Sequence, residues 1–473
     1  MRHRLLKLTS LSVALIVVLV GFARPALAQP SESAPPTSFV LLGPNGTRIV
    51  RVLTLADHCP DLIVSGRPMA MQIRSPAGEA ALRPTRSSPQ DSVPSVFHRT
   101  TCEATLPRAV RRASLAGRNL PLPPAIVRRI VVIGDTGCRL KQSDNAYQAC
   151  NDAAAYPFAR IAAAAARWHP DLVVHVGDYH YRENACPQAN AGCAGSPWGY
   201  GSDTWDADFF TPGQPLLEAA PWIFVRGNHE SCNRGGQGFR RFLDAFPLTA
   251  DRTCDLAAND AVADYTETFA VPLGGDTQMI VLDSSNTTNQ PLAAGDVRLA
   301  RYQRAYGEIE RLSDGARYNI LGLHHPLFGF GAFPDSTGVI NLAGGNRGLA
   351  SAFSPHNPNI VPTNIDIVLS GHIHLWQQVG YVADRPTQFI SGFSGTLEDI
   401  VPLPATLPDG FTPSPGAVVS SLSSWIDRFG FMTMVRTGHG RWRVEVHDWD
   451  GRVVNTCRVM GSHSQCDRAQ VPR

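Results

Sequence analysis

Lysine, charge and long apolar stretches are all scarce in this chain. Of its 473 residues 17% are charged and 43% are hydrophobic, which argues against a largely disordered chain and allows a sizeable core. Lysine occurs only as Lys7 and Lys141, and this bias toward arginine is typical of a GC-rich bacterial genome. Beyond residue 28, no apolar run is long enough to span a bilayer, which takes about 20 residues. The composition therefore predicts a large globular protein.

Closely spaced cysteine motifs are also missing. No C-x-x-C sequence occurs among the ten cysteines, which disfavours a cysteine-based metal site. Disulfides are the default for an exported chain, and sequential pairing is the simplest arrangement, although the sequence cannot fix the connectivity. The neighbouring pairs are Cys59/Cys102, Cys138/Cys150, Cys186/Cys193, Cys232/Cys254 and Cys457/Cys466.

The N-terminus predicts export. A basic start, Arg2 to Lys7, precedes the apolar run Leu11–Val20, and an A-x-A cleavage site ends at Ala28. We therefore expect residues 1–28 to be a signal peptide that is removed. Removal leaves no stable membrane anchor and predicts a secreted or periplasmic protein.

The excess of positive charge belongs to this leader. The chain has 42 basic and 40 acidic residues, and residues 1–28 contain four of the basic and none of the acidic ones. The mature chain thus has 42 − 4 = 38 basic residues against 40 acidic ones, a net charge of about −2. This balance gives no indication of a nucleic-acid partner.

Two parts of the mature chain differ in pattern. Residues 29–125 contain short apolar strands and turns, including the turn Gly43–Gly46, and predict a small β-rich N-terminal module. Apolar strands then alternate with helices, such as those expected over Pro157–Trp168 and Asp296–Leu312. This alternation predicts an α/β domain over residues 126–473.

Five of the apolar strands in the second part are each followed by a tight turn that carries Asp, Asn or His. Carboxylate, amide and imidazole groups are suitable ligands for Fe, Mn or Zn. Because the ends of strands converge at the edge of a sheet, we expect one metal site built from residues far apart in the sequence. These residues are Asp135, Asp178, Asn228, His324, His372 and His374.

The order of these turns resembles the five-block signature of purple acid phosphatases within the calcineurin-like metallophosphoesterase family. The resemblance covers about residues 126–395 and implies a four-layer α/β/β/α sandwich, here preceded by the β-rich module. The blocks are Gly134-Asp135-Thr136-Gly137, Gly177-Asp178-Tyr179-His180-Tyr181, Gly227-Asn228-His229-Glu230, Leu321-Gly322-Leu323-His324 and Gly371-His372-Ile373-His374.

Two metal ions are implied by this resemblance, a ferric ion and a divalent Fe, Zn or Mn ion. Asp178 would bridge them. Tyr181 distinguishes purple acid phosphatases from other calcineurin-like enzymes, since a phenolate ligand favours a ferric ion and gives a coloured complex; the alternative is that this tyrosine only packs. The ferric set is Asp135, Asp178, Tyr181 and His374, and the divalent set is Asp178, Asn228, His324 and His372.

The implied activity is acid phosphatase-like hydrolysis of small phosphomonoesters by a metal-bound hydroxide. Besides Asp178, the catalytic residue would be His229, which protonates the leaving oxygen or stabilises the charged transition state. Asn228, His229 and His325 would contact the substrate. A phosphodiesterase with the same metals is the alternative, and a non-catalytic binding protein is disfavoured because no ligand is missing.

Three other features have two interpretations each. Arg234 could contact phosphate, although a surface arginine is the favoured interpretation. His180 either faces the substrate or is an ordinary solvated or hydrogen-bonded histidine. The aromatic stretch within residues 186–212 either forms a wall over the pocket or packs on itself.

Overall fold

Two large β-sheets face each other, and helices cover their outer faces. The computed structural model describes residues 36–469 apart from 383, 384, 399, 405 and 427. The predicted signal peptide, residues 1–28, lies outside the described residues. The predicted four-layer α/β/β/α sandwich is confirmed by the sheets and cores described below.

The first sheet contains both ends of the described chain. It has eleven strands, of which the central ones are parallel and the C-terminal ones form an antiparallel meander. In spatial order the strands are His463–Cys466, Val453–Met460, Arg441–Asp448, Gly430–Gly438, Arg129–Ile133, Leu172–His175, Trp222–Phe224, Thr37–Leu42, Arg48–Thr54, Thr100–Leu106 and Gln72–Ser75.

The second sheet has seven strands and lies in the second half of the chain. Its central strands are parallel, and antiparallel strands flank them on both sides. In spatial order the strands are Phe269–Gly274, Thr277–Val281, Tyr318–Gly322, Ile365–Ser370, Thr387–Ser391, Trp376–Tyr381 and Val419–Trp425.

Smaller elements complete the described part of the chain. A four-stranded sheet contains Arg118–Asn119, Ala113–Leu115, Leu62–Val64 and Arg67–Met69, and three two-stranded sheets pair Leu140–Lys141 with Ala146–Tyr147, Gly331–Pro334 with Ile340–Ala343, and Gly78–Ala80 with Ser95–Phe97. The α-helices are Phe158–Arg167, Ser202–Trp205, Thr211–Leu217, Gly236–Phe242, Asp260–Ala263, Val297–Ser313 and Arg347–Phe353.

The N-terminal β-rich segment contributes strands to the first sheet. The predicted hairpin is present, with its two strands, Thr37–Leu42 and Arg48–Thr54, paired antiparallel. Leu41 also pairs in parallel with Trp222 of the α/β part, so the two parts share a sheet. The described residues form one compact unit. The division of the chain at residue 125 stays a prediction.

Alternating side chains of the strands fill separate cores. Val132 packs between the sheets with Met279 of the second sheet. Its neighbour Val131 points to the opposite face, where it packs with Ile161 of the first long helix. The outer face of the second sheet packs against the helix that contains Ile309. Because the central strands are buried on both faces, they appear in the sequence as continuous apolar runs.

The strands that precede the five polar turns are parallel within their sheets. Arg129–Ile133, Leu172–His175 and Trp222–Phe224 pair in parallel in the first sheet, and Tyr318–Gly322 and Ile365–Ser370 pair in parallel in the second. Side chains that follow parallel strands meet at the carboxyl edge of a sheet. The topology therefore directs all five turns to one edge of the sandwich.

Five disulfides join the ten cysteines. The sequential pairing predicted from the sequence is confirmed for all ten cysteines. The bonds join Cys59 to Cys102, Cys138 to Cys150, Cys186 to Cys193, Cys232 to Cys254, and Cys457 to Cys466. Every helix among the described residues is too short or too polar to cross a membrane.

Two helical glycines provide a matched test of the packing. A Cβ atom on Gly238 would lie 2.0 Å from the indole Nε1 of Trp205, whereas one on Gly307 would have no neighbour within 4 Å. We expect Gly238→Ala to destabilise the protein by about 1–3 kcal/mol through overpacking. Gly307→Ala should stabilise it by about 0.8–1.0 kcal/mol through helix propensity. Thermal unfolding of both variants checks this, and an unchanged midpoint for Gly238→Ala would contradict the packing described.

Candidate metal centre

The phenol oxygen of Tyr181 lies at the centre of one group of predicted ligands. It is 2.9 Å from Asp135 Oδ1, 2.9 Å from Asp178 Oδ2 and 3.0 Å from His374 Nε2. The phenol has one hydrogen and can donate to only one of these atoms at a time. The group therefore holds more acceptors than its hydrogens can satisfy, and this arrangement suits a cation.

A second group of predicted ligands surrounds His324. Its Nε2 lies 3.1 Å from Asp178 Oδ2 and 3.0 Å from Asn228 Oδ1. Ligand atoms of Asp178, His324 and His372 all lie within 4.8 Å of one another. The Nδ1 of His324 donates to the carbonyl oxygen of Val176 at 2.9 Å, which leaves Nε2 available to a metal ion.

Protons occupy both groups when no cation is bound. Burial lowers the pKa of His324, but Asp178 outweighs burial and brings that pKa to about 9. Burial raises the pKa of Tyr181 well above its ordinary value, and Asp135 and Asp178 raise it further. A metal ion that binds these side chains must displace their protons, so metal affinity falls as the pH is lowered.

Three of the predicted ligands have left-handed backbone conformations. The φ angles are 55° at Asp135, 58° at Asp178 and 71° at His372. Such conformations cost about 1–3 kcal/mol each and persist only where the surrounding structure enforces them. Strain of this kind is often found at functional sites, and three of the ten non-glycine residues with a left-handed backbone among the described residues are predicted ligands.

Glycines in the polar turns make room for ligands of other turns. A Cβ atom on Gly227 would lie 2.1 Å from Asp178 Oδ1, and one on Gly371 would lie 2.4 Å from Asp135 Oδ2. A larger residue at either position would push a carboxylate out of the site. Each of these positions therefore requires glycine, because a carboxylate of another block occupies the space that a Cβ atom would fill.

Two buried carboxylates that the sequence reasoning missed hold the ligand turns in place. Glu230 accepts hydrogen bonds from the backbone N–H groups of Asp178 and Gly227, each at 3.1 Å. Asp208 accepts from the backbone N–H of Tyr181 at 2.8 Å. The position of Glu230 at the end of the Gly-Asn-His-Glu block could have indicated its role, whereas no pattern in the sequence indicates the role of Asp208.

His229 lies against the site and is held on three sides. Its backbone N–H donates to Asp178 Oδ1 at 2.8 Å, and its Nδ1 donates to the carbonyl oxygen of His180 at 3.0 Å. Its Nε2 lies 2.7 Å from a guanidinium nitrogen of Arg234. Burial lowers the pKa of His229 to about 3, and the charge of Arg234 lowers it as well. The imidazole is therefore neutral at neutral pH in the absence of substrate.

Arg234 is a buried residue of the site, and the expectation of a surface arginine is wrong. Only 4% of its surface is exposed, and its guanidinium pairs with the buried carboxylate of Glu183. A buried carboxylate requires a cation nearby, which explains why the arginine turns inward. The two residues are 51 positions apart, so no local pattern in the sequence reveals the pair.

His325 lies beside the predicted ligands, whereas His180 does not face the site. The ring centroids of His325 and His372 are 4.2 Å apart, and Nδ1 of His325 lies 3.1 Å from the Ser284 hydroxyl. His180 is fully buried, with its ring 5.1 Å from the ring of Tyr200. Burial excludes both the substrate-facing and the solvated interpretation, and its ring nitrogens make no hydrogen bond within the described part of the chain, so it is not an ordinary hydrogen-bonded histidine either.

The aromatic stretch between the second and third blocks packs into the interior. Trp205, Phe209 and Phe210 belong to the core on the outer face of the first sheet, together with Phe39. The ring of Phe210 stacks on that of Phe39 at 6.1 Å. These side chains therefore support the ligand turns from behind and do not form a wall over the pocket.

Two cavities open beside the predicted ligands, and His325 and His372 line both. We call them the basic cavity and the apolar cleft, with volumes of about 670 and about 570 Å³. The side chains that give the basic cavity its charge are Arg86, Lys141, Glu183, Arg234, Asp264 and Arg298. The apolar side chains of the apolar cleft are Pro326, Phe333, Leu342, Ala343, Ile373, Phe411, Pro413 and Pro415.

Known structures resemble this chain at low sequence identity. Purple acid phosphatase PPD1 from seeds of yellow lupin (Lupinus luteus) is similar with a TM-score of 0.51 and 12% identity, over 92% of this chain and 74% of that chain. PhoD is similar with a TM-score of 0.49 and 11% identity, over 93% of this chain and 94% of that chain. GAP50, the anchor in the inner membrane complex of Plasmodium, has a TM-score of 0.38 and 12% identity, over 73% of this chain and 91% of that chain. Only the first TM-score exceeds 0.5, and that likeness supports the fold alone.

Comparison at the level of sequence gives a family. No curated protein matches the chain in sequence. The family model described as calcineurin-like phosphoesterase matches residues 128–375, which is more than half of the chain and includes all five polar turns. The chain therefore belongs to the calcineurin-like phosphoesterase family, whose members hydrolyse phosphate esters with bound metal ions.

Proposed function

We propose that the protein is an exported phosphomonoesterase of the purple acid phosphatase type. The observation that carries this proposal is the shortage of hydrogens around Tyr181 and His324. Acceptor atoms crowd both side chains, and the carboxylate of Asp178 belongs to both groups. Two cations bridged by Asp178 would satisfy the acceptors of both groups at once.

Family membership implies a binuclear metal site, and the donor chemistry of this chain fits one. Carboxylate and phenolate oxygens are hard donors that suit Fe(III), whereas an amide oxygen with two imidazoles suits a divalent Fe, Zn or Mn ion. We assign Asp135, Asp178, Tyr181 and His374 to the ferric ion, and Asp178, Asn228, His324 and His372 to the divalent ion.

Three polar side chains that face the cavities would orient the ester. Bound metal ions would supply an activated water and neutralise charge on the phosphate. Asn228, His325 and Arg234 line the basic cavity, and the ion pair with Glu183 holds the guanidinium of Arg234 in place there. Charge-assisted hydrogen bonds from Arg234 to the phosphate oxygens would then hold the ester for attack.

His229 would provide the proton for the leaving oxygen. Its imidazole is neutral in the free site because of burial and the charge of Arg234. A phosphate dianion in the basic cavity supplies the opposite charge and favours the imidazolium. The substrate itself would thereby prepare the acid, which can then donate its proton or stabilise negative charge in the transition state.

The charge of the basic cavity favours monoesters over diesters. Four cationic side chains and two carboxylates line it, and Asp264 is paired with Arg226 from outside the lining. Arg234 pairs with Glu183, Lys141 with Asp144 and Arg298 with Asp296, which leaves Arg86 as the lining cation outside these pairs. This positive charge suits a monoester, which carries more negative charge than a diester. A phosphodiesterase is the second candidate, because the apolar cleft on the other side of His372 leaves room for a second substituent.

Export is supported by the cysteine chemistry. Five disulfides are the pattern of proteins that fold in an oxidising compartment. Together with the A-x-A site that ends at Ala28, they support a secreted or periplasmic bacterial protein without a stable membrane anchor after cleavage. The proposed partner is a small phosphate ester and not a nucleic acid.

The activity is tested with a matched pair of chromogenic esters. For the purified, metal-analysed protein, we expect the ratio of kcat/KM for a phosphomonoester to kcat/KM for its matching diester to be well above one. A ratio below one would contradict the monoesterase and favour the second candidate. Asn228→Ala removes a proposed ligand and should abolish turnover of both esters. Turnover that survives in this variant would reveal a contaminating phosphatase or a wrong site.

The ferric assignment is tested by colour. A ferric ion bound to the phenolate of Tyr181 should give a visible absorption band, and Tyr181→Phe should remove it. The matched control is Tyr318→Phe, because Tyr318 is also buried but its hydroxyl donates to the carbonyl of Gly461, away from the site. An iron-loaded protein whose band persists in Tyr181→Phe would overturn the assignment.

A further inference from the structure

The apolar cleft differs in chemistry from the basic cavity beside it. Phe333, Leu342, Ile373 and Phe411 line the cleft, and Arg347 is the one permanently charged side chain among its described lining residues. We propose that this cleft binds an apolar organic group of the substrate, so that the natural substrate is an amphiphilic phosphate ester. The inference rests on the phosphoesterase function proposed above and names the substrate class for that site.

Continuity with the site identifies the occupant of the cleft. His325 and His372 line the cleft and the basic cavity alike, so the two spaces meet at the predicted ligands. A group bonded to a phosphate at those ligands would enter the cleft directly. Its volume of about 570 Å³ is that of a pocket for a sizeable organic group, since ligand pockets span about 300–1,000 Å³. A phosphate alone would leave most of it empty.

The walls of the cleft are fixed by backbone hydrogen bonds. The N–H of Val401 donates to the carbonyl of Ala332 at 3.0 Å, which ties the hairpin Gly331–Pro334/Ile340–Ala343 to a neighbouring loop. The N–H of Gly345 donates to the carbonyl of Pro413 at 2.7 Å. A cleft that is formed before binding loses little free energy to the ordering of its walls. Burial of an apolar group in it therefore contributes to the affinity for the ligand.

An apolar surface continues from the cleft toward solvent. Ile340 and Leu342 are two residues apart in one strand, so their side chains lie on the same face. Leu342 lines the cleft, whereas 47% of Ile340 is exposed, as is 58% of the adjacent Val339. A chain that fills the cleft can therefore extend along Ile340, and this favours a linear alkyl group over a compact one.

A homologous series of substrates tests the proposal. We would measure kcat/KM for ethyl, butyl, hexyl and octyl phosphates below their micelle concentrations, with the matching alkyl 4-nitrophenyl diesters in parallel. Each methylene that enters the cleft should raise kcat/KM about fourfold, the factor that corresponds to about 0.8 kcal/mol per buried CH₂. The increase should be seen in the ester class that the protein hydrolyses.

Substitutions in the cleft separate this effect from general hydrophobic binding. Leu342→Ser and Phe411→Ser should reduce kcat/KM for the octyl ester at least tenfold and leave the ethyl ester within about twofold, since an ethyl group is too small to fill a cleft of about 570 Å³. Leu256→Ser is the matched control, because Leu256 is 58% exposed and lines neither cavity. It should leave the whole series unchanged.

Each outcome is decisive. A series that rises with chain length and becomes flat in the cleft variants supports the proposal. Turnover of the ethyl ester without any rise would overturn the amphiphilic substrate and leave the phosphoesterase function intact. A rise that the cleft variants do not change would also overturn it, because the group would then bind elsewhere. No turnover of any ester by protein with two metals bound would contradict both proposals.

Discussion

The site depends on the contacts that the carboxylate of Asp178 makes. One of its oxygens lies within hydrogen-bonding distance of the Tyr181 phenol and the His324 imidazole, and the other accepts the backbone N–H of His229. Asp178 follows a strand of the first sheet, whereas His324 follows a strand of the second. The same carboxylate therefore joins the two proposed ligand groups and bridges the two halves of the sandwich.

The rest of the structure keeps this carboxylate where it is. Parallel strands bring the turns to one edge, and Glu230 binds the backbone of the Asp178 turn and of the Gly227 turn. The backbone at Asp178 is left-handed, and a side chain at Gly227 would collide with its carboxylate. A strained residue of this kind persists only when its surroundings determine its conformation, as they do here. Loops at this edge form the two cavities whose different chemistry would select the ester.

The sequence predicted what depends on local pattern. Continuous apolar runs gave the buried strands, the Asn45-Gly46 turn gave the first hairpin, and the helices at Phe158–Arg167 and Val297–Ser313 lie within one or two residues of the expected bounds. It could not predict what depends on contacts between distant residues. Arg234 is buried because Glu183 is buried beside it. The contrast between the basic cavity and the apolar cleft comes from loops that meet only in the folded chain. The seven proposed metal ligands lie together, but their coordination stays a prediction.

The central claim is that Asp178 bridges two metal ions, and anomalous X-ray diffraction from crystals of the metal-loaded protein tests it most directly. Data collected on either side of the absorption edges of iron, zinc and manganese locate each ion and identify its element. If Asp178 bridges two metal ions, two anomalous peaks about 3.5–4 Å apart are expected. The carboxylate of Asp178 should lie between them, with the phenol oxygen of Tyr181 at the ferric ion and Asn228 and His324 at the other. A single peak, or a pair of peaks without Asp178 between them, would contradict it.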